Sequence, residues 1–230
     1  MRSIKSSRSM ESVRYRVCVS RLGEASRLTH LGQIEMLRRA VLNSGLPAVT
    51  DKRRRPRPRL AFGPAIALGY ESLAEYFDLE LTKDLSDREV ASALSEALDC
   101  GFALRAVRRI PRFYPSLDAS INVVRYEIRG SFSGESEAAL ERFLARKEIV
   151  IKKIKEGGAR VELIDARPLI REMVFSAPDC LRLTLRFGPK RTLKPEALLR
   201  EWLGKTTLEG FRVLRKDLLS ETSKGELLTP

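Results

Sequence analysis

The chain has 230 residues, and 43 Lys and Arg against 30 Asp and Glu give it a formal net charge of +13 at pH 7. Its hydrophobic fraction of 43% excludes a disordered chain, and it lacks the run of about 18 apolar residues that a membrane span requires. No apolar segment follows the basic N-terminus, so we expect a cytoplasmic protein without a membrane partner and with a disordered tail over residues 1–11.

The first half of the chain predicts six elements in the order β-α-β-β-α-β. Alternating polar and apolar residues predict a strand over 12–20, and a helix follows over 31–44 with Thr29 as its N-cap. Short extended pieces are predicted at 60–62 and 65–68, and a long strand at 74–82. Ser86 and Glu89 form a capping box for a second helix, and 102–110 is the last strand. This order indicates a ferredoxin-like half over residues 12–110.

The second half repeats this pattern of elements less regularly. Two prolines in residues 111–120 predict a linker. Strands are predicted over 121–129, 149–154, 161–164, 169–175, 181–187 and 211–216. Helices are predicted around Leu140 and after Pro195, and Gly157-Gly158 predicts a hairpin turn. We interpret 121–218 as a second, embellished ferredoxin-like half and 219–230 as a tail, which makes the fold class α+β.

The positive charge is concentrated in residues 1–60, which carry +11, whereas residues 61–100 carry −7. Its densest part is the run from Lys52 to Arg59, which we call the basic ribbon. Two prolines keep this run extended, and its guanidinium groups match phosphate oxygens. Nucleic-acid binding, an acidic protein partner and a solvated loop are all compatible with so short a run. The candidate RNA-binding residues are Arg53, Arg54, Arg55, Arg57, Arg59, Arg27 and His30.

His30 is the only histidine in the chain, and it lies at the predicted start of the first helix, where backbone N–H groups favour anions. It can pack or cap the helix, contact RNA or act as a general base. The cysteines Cys18, Cys100 and Cys180 are too far apart for a zinc, redox or iron–sulfur motif. We therefore expect no metal and no cofactor, and we lean towards a protein without catalytic activity of its own.

Two further groups allow more than one interpretation. Asp78 and Glu80 share one face of the strand at 74–82, with Glu75 at its edge. These carboxylates can bind a metal or transfer protons, or they can pair with nearby arginines, which is the more common arrangement. Phe113-Tyr114 can stack on nucleobases or be anchored in the core.

Two stretches of the sequence match motifs of one bacterial family. Thr29-His30-Leu31-Gly32 is similar to that family's Ser-His-Leu-Asp helix start, and residues 56–78 are similar to its Pro-x-Pro-Arg/Lys-Leu-Ser-Phe-Gly core. The matching residues are His30, Pro56, Pro58, Phe62, Gly63, Gly69, Glu71, Ser72, Glu75, Tyr76 and Asp78. The sequence thus resembles the radical-SAM-linked proteins, which carry a domain of unknown function. It departs from them at Gly32, where the family has Asp, and at 53–55, where the family has a Gly-Phe turn.

The resemblance implies a partner more than an activity. Members of that family stand beside a radical SAM protein or are fused to one, and this chain lacks the grouped cysteines of radical SAM chemistry. We hypothesise a non-catalytic accessory protein that binds rRNA or tRNA through the basic ribbon and works with a radical SAM enzyme. The alternatives are a protein–protein adaptor and a metal-independent endoribonuclease that uses His30, similar to CRISPR repeat-processing nucleases.

Overall fold

The computed structural model of the protein is α+β, with a large mixed sheet and five α-helices among the described residues. These residues are 12–51, 53–54, 56–132, 134–154, 161–188, 192–205 and 207–230, so the expected tail at 1–11 and the expected turn at Gly157-Gly158 lie outside them. The chain divides into two units. One contains the chain up to Leu68 together with Glu75–Leu117, and the other contains Gly69–Ala74 and Asp118–Pro230. None of the described helices has the length and apolarity needed to cross a membrane.

The first unit contains strands and helices in the order β-α-β-β-α-β. They are β1 (Val13–Arg21), α1 (His30–Asn43), β2 (Leu60–Phe62), β3 (Glu71–Leu81, of which residues 75–81 belong to this unit), α2 (Asp87–Ala97) and β4 (Phe102–Ile110). β1 lies between β4 and β3, and β2 pairs antiparallel with β3. Tyr15 and Phe77 from the sheet pack with Leu37 of α1 and Leu94 of α2 in one apolar core.

The bounds of these elements follow local sequence signals. The Thr29 hydroxyl accepts a hydrogen bond from the Gly32 N–H at the start of α1, and Ser86 with Glu89 forms the predicted capping box of α2. The strands predicted at 60–62 and 102–110 match β2 and β4. The extended piece predicted at 65–68 forms no strand.

β1 is buried on both faces, although its sequence alternates between polar and apolar residues. Tyr15 and Val17 lie in the core, yet Arg16 is only 3% exposed and Arg21 only 1%. Arg16 binds Asp78, and Arg21 donates to backbone carbonyl groups that include the one of Leu28. A guanidinium group can be buried in this way only where such partners satisfy it.

The second unit holds the remaining elements, which begin at the end of the connector. They are α3 (Leu117–Ser120), β5 (Val123–Arg129), α4 (Glu137–Leu144), β6 (Val150–Ile154), β7 (Val161–Asp165), β8 (Ile170–Ala177), β9 (Cys180–Arg186), α5 (Pro195–Leu203), β10 (Arg212–Glu221) and β11 (Leu227–Leu228). The strands follow the order β10-β5-β9-β8 with antiparallel pairs, and β6 and β7 form a separate two-stranded sheet. Glu71 and Ser72 of β3 pair in parallel with Leu214 and Arg215 of β10.

Two stretches expected to lack regular structure contain elements. Residues 111–120, expected as a linker, contain all of α3. Residues 219–230, expected as a tail, contain the end of β10 and also β11, whose Leu227 pairs with Glu221. The apolar side chains of Leu218 and Leu219 are buried, which explains why the strand continues past residue 216.

Candidate functional site

A cavity of about 490 Å³ in the first unit is lined mainly by charged side chains. Its arginines are Arg14, Arg38, Arg57, Arg59 and Arg112, and its carboxylates are Asp51, Asp78 and Glu80. Arginines therefore outnumber carboxylates in the lining, and the resulting positive potential favours an anionic ligand. We call this feature the arginine cavity.

The basic ribbon forms one wall of the arginine cavity. The Asp51 N–H donates to the Arg57 carbonyl at 3.0 Å, and the Arg59 N–H donates to the Val49 carbonyl at 2.8 Å. Pro58, which donates no backbone hydrogen bond, is buried in a bridge opposite residue 50. Residues 56–59 therefore run as an extended segment, whereas Arg53 and Arg54, which were also expected to be extended, lie in a bend.

Asp51 fixes the base of this wall. Its carboxylate accepts a hydrogen bond from the Arg57 N–H at 3.0 Å and lies 3.2 Å from the Nε of Arg53. The hydrogen bond from the Arg57 backbone is the main reason that the pKa of Asp51 is lowered. Asp51 is thus ionised at neutral pH, and it holds the ribbon backbone while it partly neutralises Arg53.

Two arginines of the cavity share a single carboxylate on α1. Glu35 Oε1 lies 3.0 Å from Arg38 Nη1 and 3.1 Å from Arg57 Nη1. Glu35 and Arg57 are about half exposed and Arg38 is partly exposed, so each ion pair is weak and a phosphate can compete with Glu35 for the guanidinium groups. The exposed side chain of Arg59 has no hydrogen-bond or ion-pair partner among the described residues.

Asp78 supports the opposite wall from inside the sheet. Its side chain, 3% exposed, binds Arg14 and accepts two hydrogen bonds from Arg16, from Nε at 2.8 Å and from Nη2 at 3.0 Å. Asp78 therefore compensates the charge of a buried guanidinium group and holds Arg14 at the cavity. Of the two interpretations of this acidic strand, pairing with arginines is the one that the geometry provides for Asp78.

Glu80 lies one strand repeat further along, where it also lines the cavity and accepts a hydrogen bond from the Ser12 hydroxyl at 3.3 Å. Within the part of the chain that the structure describes, no group of three or more His, Cys, Asp or Glu side chains gathers as a metal centre would require. The five arginine side chains of the lining supply donors that can bind an anion.

The connector after β4 is fixed to β1 by two arginine side chains. Arg14 Nη1 donates to the Tyr114 carbonyl at 2.8 Å, and Arg16 Nη2 donates to the Pro115 carbonyl at 2.9 Å. The Tyr114 N–H donates to the Pro111 carbonyl at 3.0 Å, which closes a tight turn. The same arginines that Asp78 holds therefore position residues 111–115.

The two aromatic residues of the connector have different surroundings. The Tyr114 ring lies near two guanidinium groups, with its centroid 5.3 Å from the Cζ of Arg16 and 5.6 Å from that of Arg108. Phe113 points into solvent and is 89% exposed. Tyr114 is thus anchored, and Phe113 is available to a ligand.

The predicted RNA-binding residues of the basic ribbon are only partly brought together. Arg57 and Arg59 line the arginine cavity. Arg53 pairs with Asp51, and Arg54 is exposed outside the lining. Arg55 lies outside the described residues.

The other two predicted RNA-binding residues lie away from this lining. Arg27 ends a 3₁₀ turn over Gly23–Arg27, and His30 is the first residue of α1. The buried Nδ1 of His30 has no hydrogen-bond partner among the described residues.

Residues of the family motif occur in both units. They are His30, Pro56, Pro58, Phe62, Gly63, Glu75, Tyr76 and Asp78 in the first unit, and Gly69, Glu71 and Ser72 in the second. Several have structural partners: Glu75 accepts a hydrogen bond from Gln33 Nε2 at 2.8 Å, and the Gly63 N–H donates to the Tyr76 carbonyl at 2.9 Å. Gly69 has a φ of +84°, which favours glycine.

Three arginines of the cavity were not singled out by the sequence. Arg14, Arg38 and Arg112 come from β1, α1 and the connector, so no local basic run contains them. One signal was present, because Arg14 and Arg16 alternate with core residues in a strand of a chain whose residues 61–100 are acidic. This pattern indicates ion pairing between strands, but it does not indicate a cavity.

Fold and cavity together define an α+β protein with a positively charged cavity in its first unit. The chain belongs to a family described as uncharacterized proteins conserved in bacteria, DUF2344, which matches residues 14–195. No curated protein matches the chain. Among solved structures, the crystal structure of an unknown protein from Galdieria sulphuraria is similar, at 16% identity and a TM-score of 0.27, covering 84% of this chain and 89% of that chain.

Proposed function

We propose that this protein binds RNA, either rRNA or tRNA, through phosphate groups at the arginine cavity and catalyses no reaction on it. The observation that carries the proposal is the set of five arginines around one cavity of about 490 Å³. A guanidinium group offers paired donors that match phosphate oxygens, and the net charge of +13 adds long-range attraction to a polyanion.

The basic ribbon supports the proposal that the ligand is an extended polyanion and not a single small anion. Arg57 and Arg59 belong to both the ribbon and the arginine cavity, and Arg53 and Arg54 continue the positive charge beyond the lining. A chain of phosphates can contact both regions at once, whereas a single phosphate can occupy only the cavity. This arrangement favours a nucleic acid.

Replacing Arg59 and Arg112 together with Gln tests the proposal, because both line the cavity and the replacement leaves Arg14 and Arg16 to compensate the buried Asp78. We expect weaker binding of tRNA and of a single-stranded oligoribonucleotide, measured by fluorescence anisotropy over a range of salt concentrations. For the single strand, the slope of log affinity against log salt should fall by about 0.7 for each phosphate that the variant can no longer bind.

A matched control separates site binding from a general charge effect. Arg182→Gln together with Arg200→Gln removes the same number of positive charges, two, from exposed positions on β9 and α5 in the second unit and should leave the affinity almost unchanged. The proposal fails if the cavity variant binds both RNAs with the affinity and salt slope of the wild type. RNA cleavage that His30→Ala abolishes would instead favour the endoribonuclease.

We further propose that the protein acts as an accessory to a radical SAM enzyme. The support for this step is the sequence resemblance at residues 29–32 and 56–78. Affinity purification of the full chain from its host, with and without ribonuclease treatment, tests it. A radical SAM protein that is retained after ribonuclease treatment supports direct partnership, and its absence from both samples contradicts the proposal. Retention of an acidic protein alone would favour the adaptor.

The strand orders support a ferredoxin-like topology for each unit, which we propose as the finer description of the fold. In the first unit the order β-α-β-β-α-β accompanies the arrangement β4-β1-β3-β2. In the second unit, the strands β5, β8, β9 and β10 of the chain are arranged in the sheet in the order β10-β5-β9-β8. β6 and β7 are inserted in the chain after α4. Four-stranded sheets of this kind are used by RNA-recognition modules. An experimental structure with another strand order would contradict this description.

A further inference from the structure

Phe113 has the greatest exposure of any large apolar side chain among the described residues, at 89%. Leaving a phenyl ring in water forgoes the favourable burial that aromatic side chains normally gain. The ring of its neighbour Tyr114 is held by contacts with arginines. Of the two adjacent aromatic residues on this turn, Phe113 is thus the one whose ring faces solvent.

The backbone that carries Phe113 is fixed on both sides of the ring. The Tyr114 N–H closes the turn on the Pro111 carbonyl, and Arg14 donates to the carbonyl of Tyr114. Asp78 in turn holds Arg14. Because this backbone is already fixed, the turn itself loses little conformational freedom when the ring binds a ligand.

The charges around Phe113 indicate the chemistry of that ligand. Arg112, the preceding residue, lines the arginine cavity and also a second cavity of about 560 Å³ that Arg109 helps to line. The two cavities share Ser12, Arg14 and Arg112. An exposed aromatic ring beside guanidinium groups is complementary to a nucleotide, whose base has a π face and whose phosphate is anionic.

We propose that Phe113 stacks on one unpaired nucleobase of a single-stranded RNA segment whose neighbouring phosphate lies in the arginine cavity beside Arg112. The inference rests on the proposed RNA-binding function and narrows its ligand from RNA in general to loops, ends or other unpaired segments. A base inside a duplex is stacked on both faces and cannot place one face on the ring.

Phe113→Ala and Phe113→Trp test the stacking site with a single-stranded oligoribonucleotide that contains 2-aminopurine. We expect Phe113→Ala to bind roughly 5- to 150-fold more weakly, since aromatic stacking contributes that much per base, and to lose quenching of the 2-aminopurine fluorescence. Phe113→Trp should retain affinity and quenching because its ring also stacks. The salt slope should stay at the wild-type value in both variants, because the bound phosphates remain the same.

Leu68→Ala is the matched control, because Leu68 is 64% exposed in the same unit and lies outside the cavity lining. It should bind as the wild type does. Wild-type affinity in Phe113→Ala, or equal losses in the Ala and Trp variants, would overturn the stacking site. In either case the proposed function stands if Arg59→Gln with Arg112→Gln still weakens binding, and it falls only if that cavity variant binds normally.

Discussion

Replacing Asp78 with Ala tests whether this carboxylate compensates the buried charge of Arg16. The side chains of Arg16 and Asp78 are 2% and 3% exposed, and two hydrogen bonds of 2.8 Å and 3.0 Å join them. In the variant the Arg16 guanidinium would remain buried without a counter-charge. Arg14, at 17% exposure, can reach solvent more easily, so its contribution to the effect is smaller.

The expected magnitude follows from the burial of this pair. Removing one partner of a buried ion pair costs about 3–5 kcal/mol, and folded proteins have only about 5–15 kcal/mol of stability in total. Asp78→Ala should therefore remove a large fraction of the free energy of unfolding. In the double variant with Arg16→Met the buried charge is absent, so its loss of stability should be smaller than that of Asp78→Ala alone.

Urea denaturation followed by far-ultraviolet circular dichroism measures these changes, since the only tryptophan, Trp202, lies in the second unit. Asp179→Ala is the control, because its ion pair with Arg129 spans 3.5 Å between exposed side chains and should contribute at most about 1 kcal/mol. The reasoning is refuted if Asp78→Ala is no more destabilising than this control, or if the double variant is less stable than Asp78→Ala.

Two other predictions concern backbone conformation and pH. Gly101→Ala should destabilise the protein well beyond the about 1–2 kcal/mol expected for Gly204→Ala, because Gly101 has a φ of +87° and an added Cβ would lie 2.2 Å from the Leu22 carbonyl oxygen, whereas Gly204 has open space around it. Thermal denaturation compares them, and equal losses would contradict the steric argument. The hydrogen bond from Arg186 lowers the pKa of Glu221 in the folded protein. Ionised Glu221 should therefore stabilise the fold fully above the unfolded-state pKa of about 4.3, and this stabilisation should be lost as the pH falls through the lower pKa of the folded state. Glu221→Gln should flatten this acid-side loss in unfolding curves measured across pH, and an unchanged profile would refute the assignment.

Local sequence signals predicted most element bounds because they depend on residues close together in the chain. The cap at Thr29 and the capping box at Ser86 both lie where the sequence indicated them. The continuation of β10 beyond residue 216 was missed, since its buried residues Leu218 and Leu219 are adjacent in sequence and form no strict alternation.

The candidate site was less predictable than the fold. Arg57 and Arg59 were identified because they belong to a dense basic run, whereas Arg14 and Arg112 depend on how β1 and the connector come together with β3. Which side chains of two strands face each other is set by the pairing register, which a short pattern does not specify. The alternation in β1 therefore could not show that Arg16 would be buried on Asp78.

Residues 69–74 belong to the second unit although the chain before and after them belongs to the first. Glu71 and Ser72 pair in parallel with β10. Apart from residues 69–74, the second unit consists of Asp118–Pro230, the last part of the chain. A fragment produced by cutting the chain within residues 111–120 would leave β10 with an unpaired edge, and such edges promote aggregation. A fragment that is to contain the complete second unit, for example for fusion to another protein, must therefore begin at residue 69 or earlier.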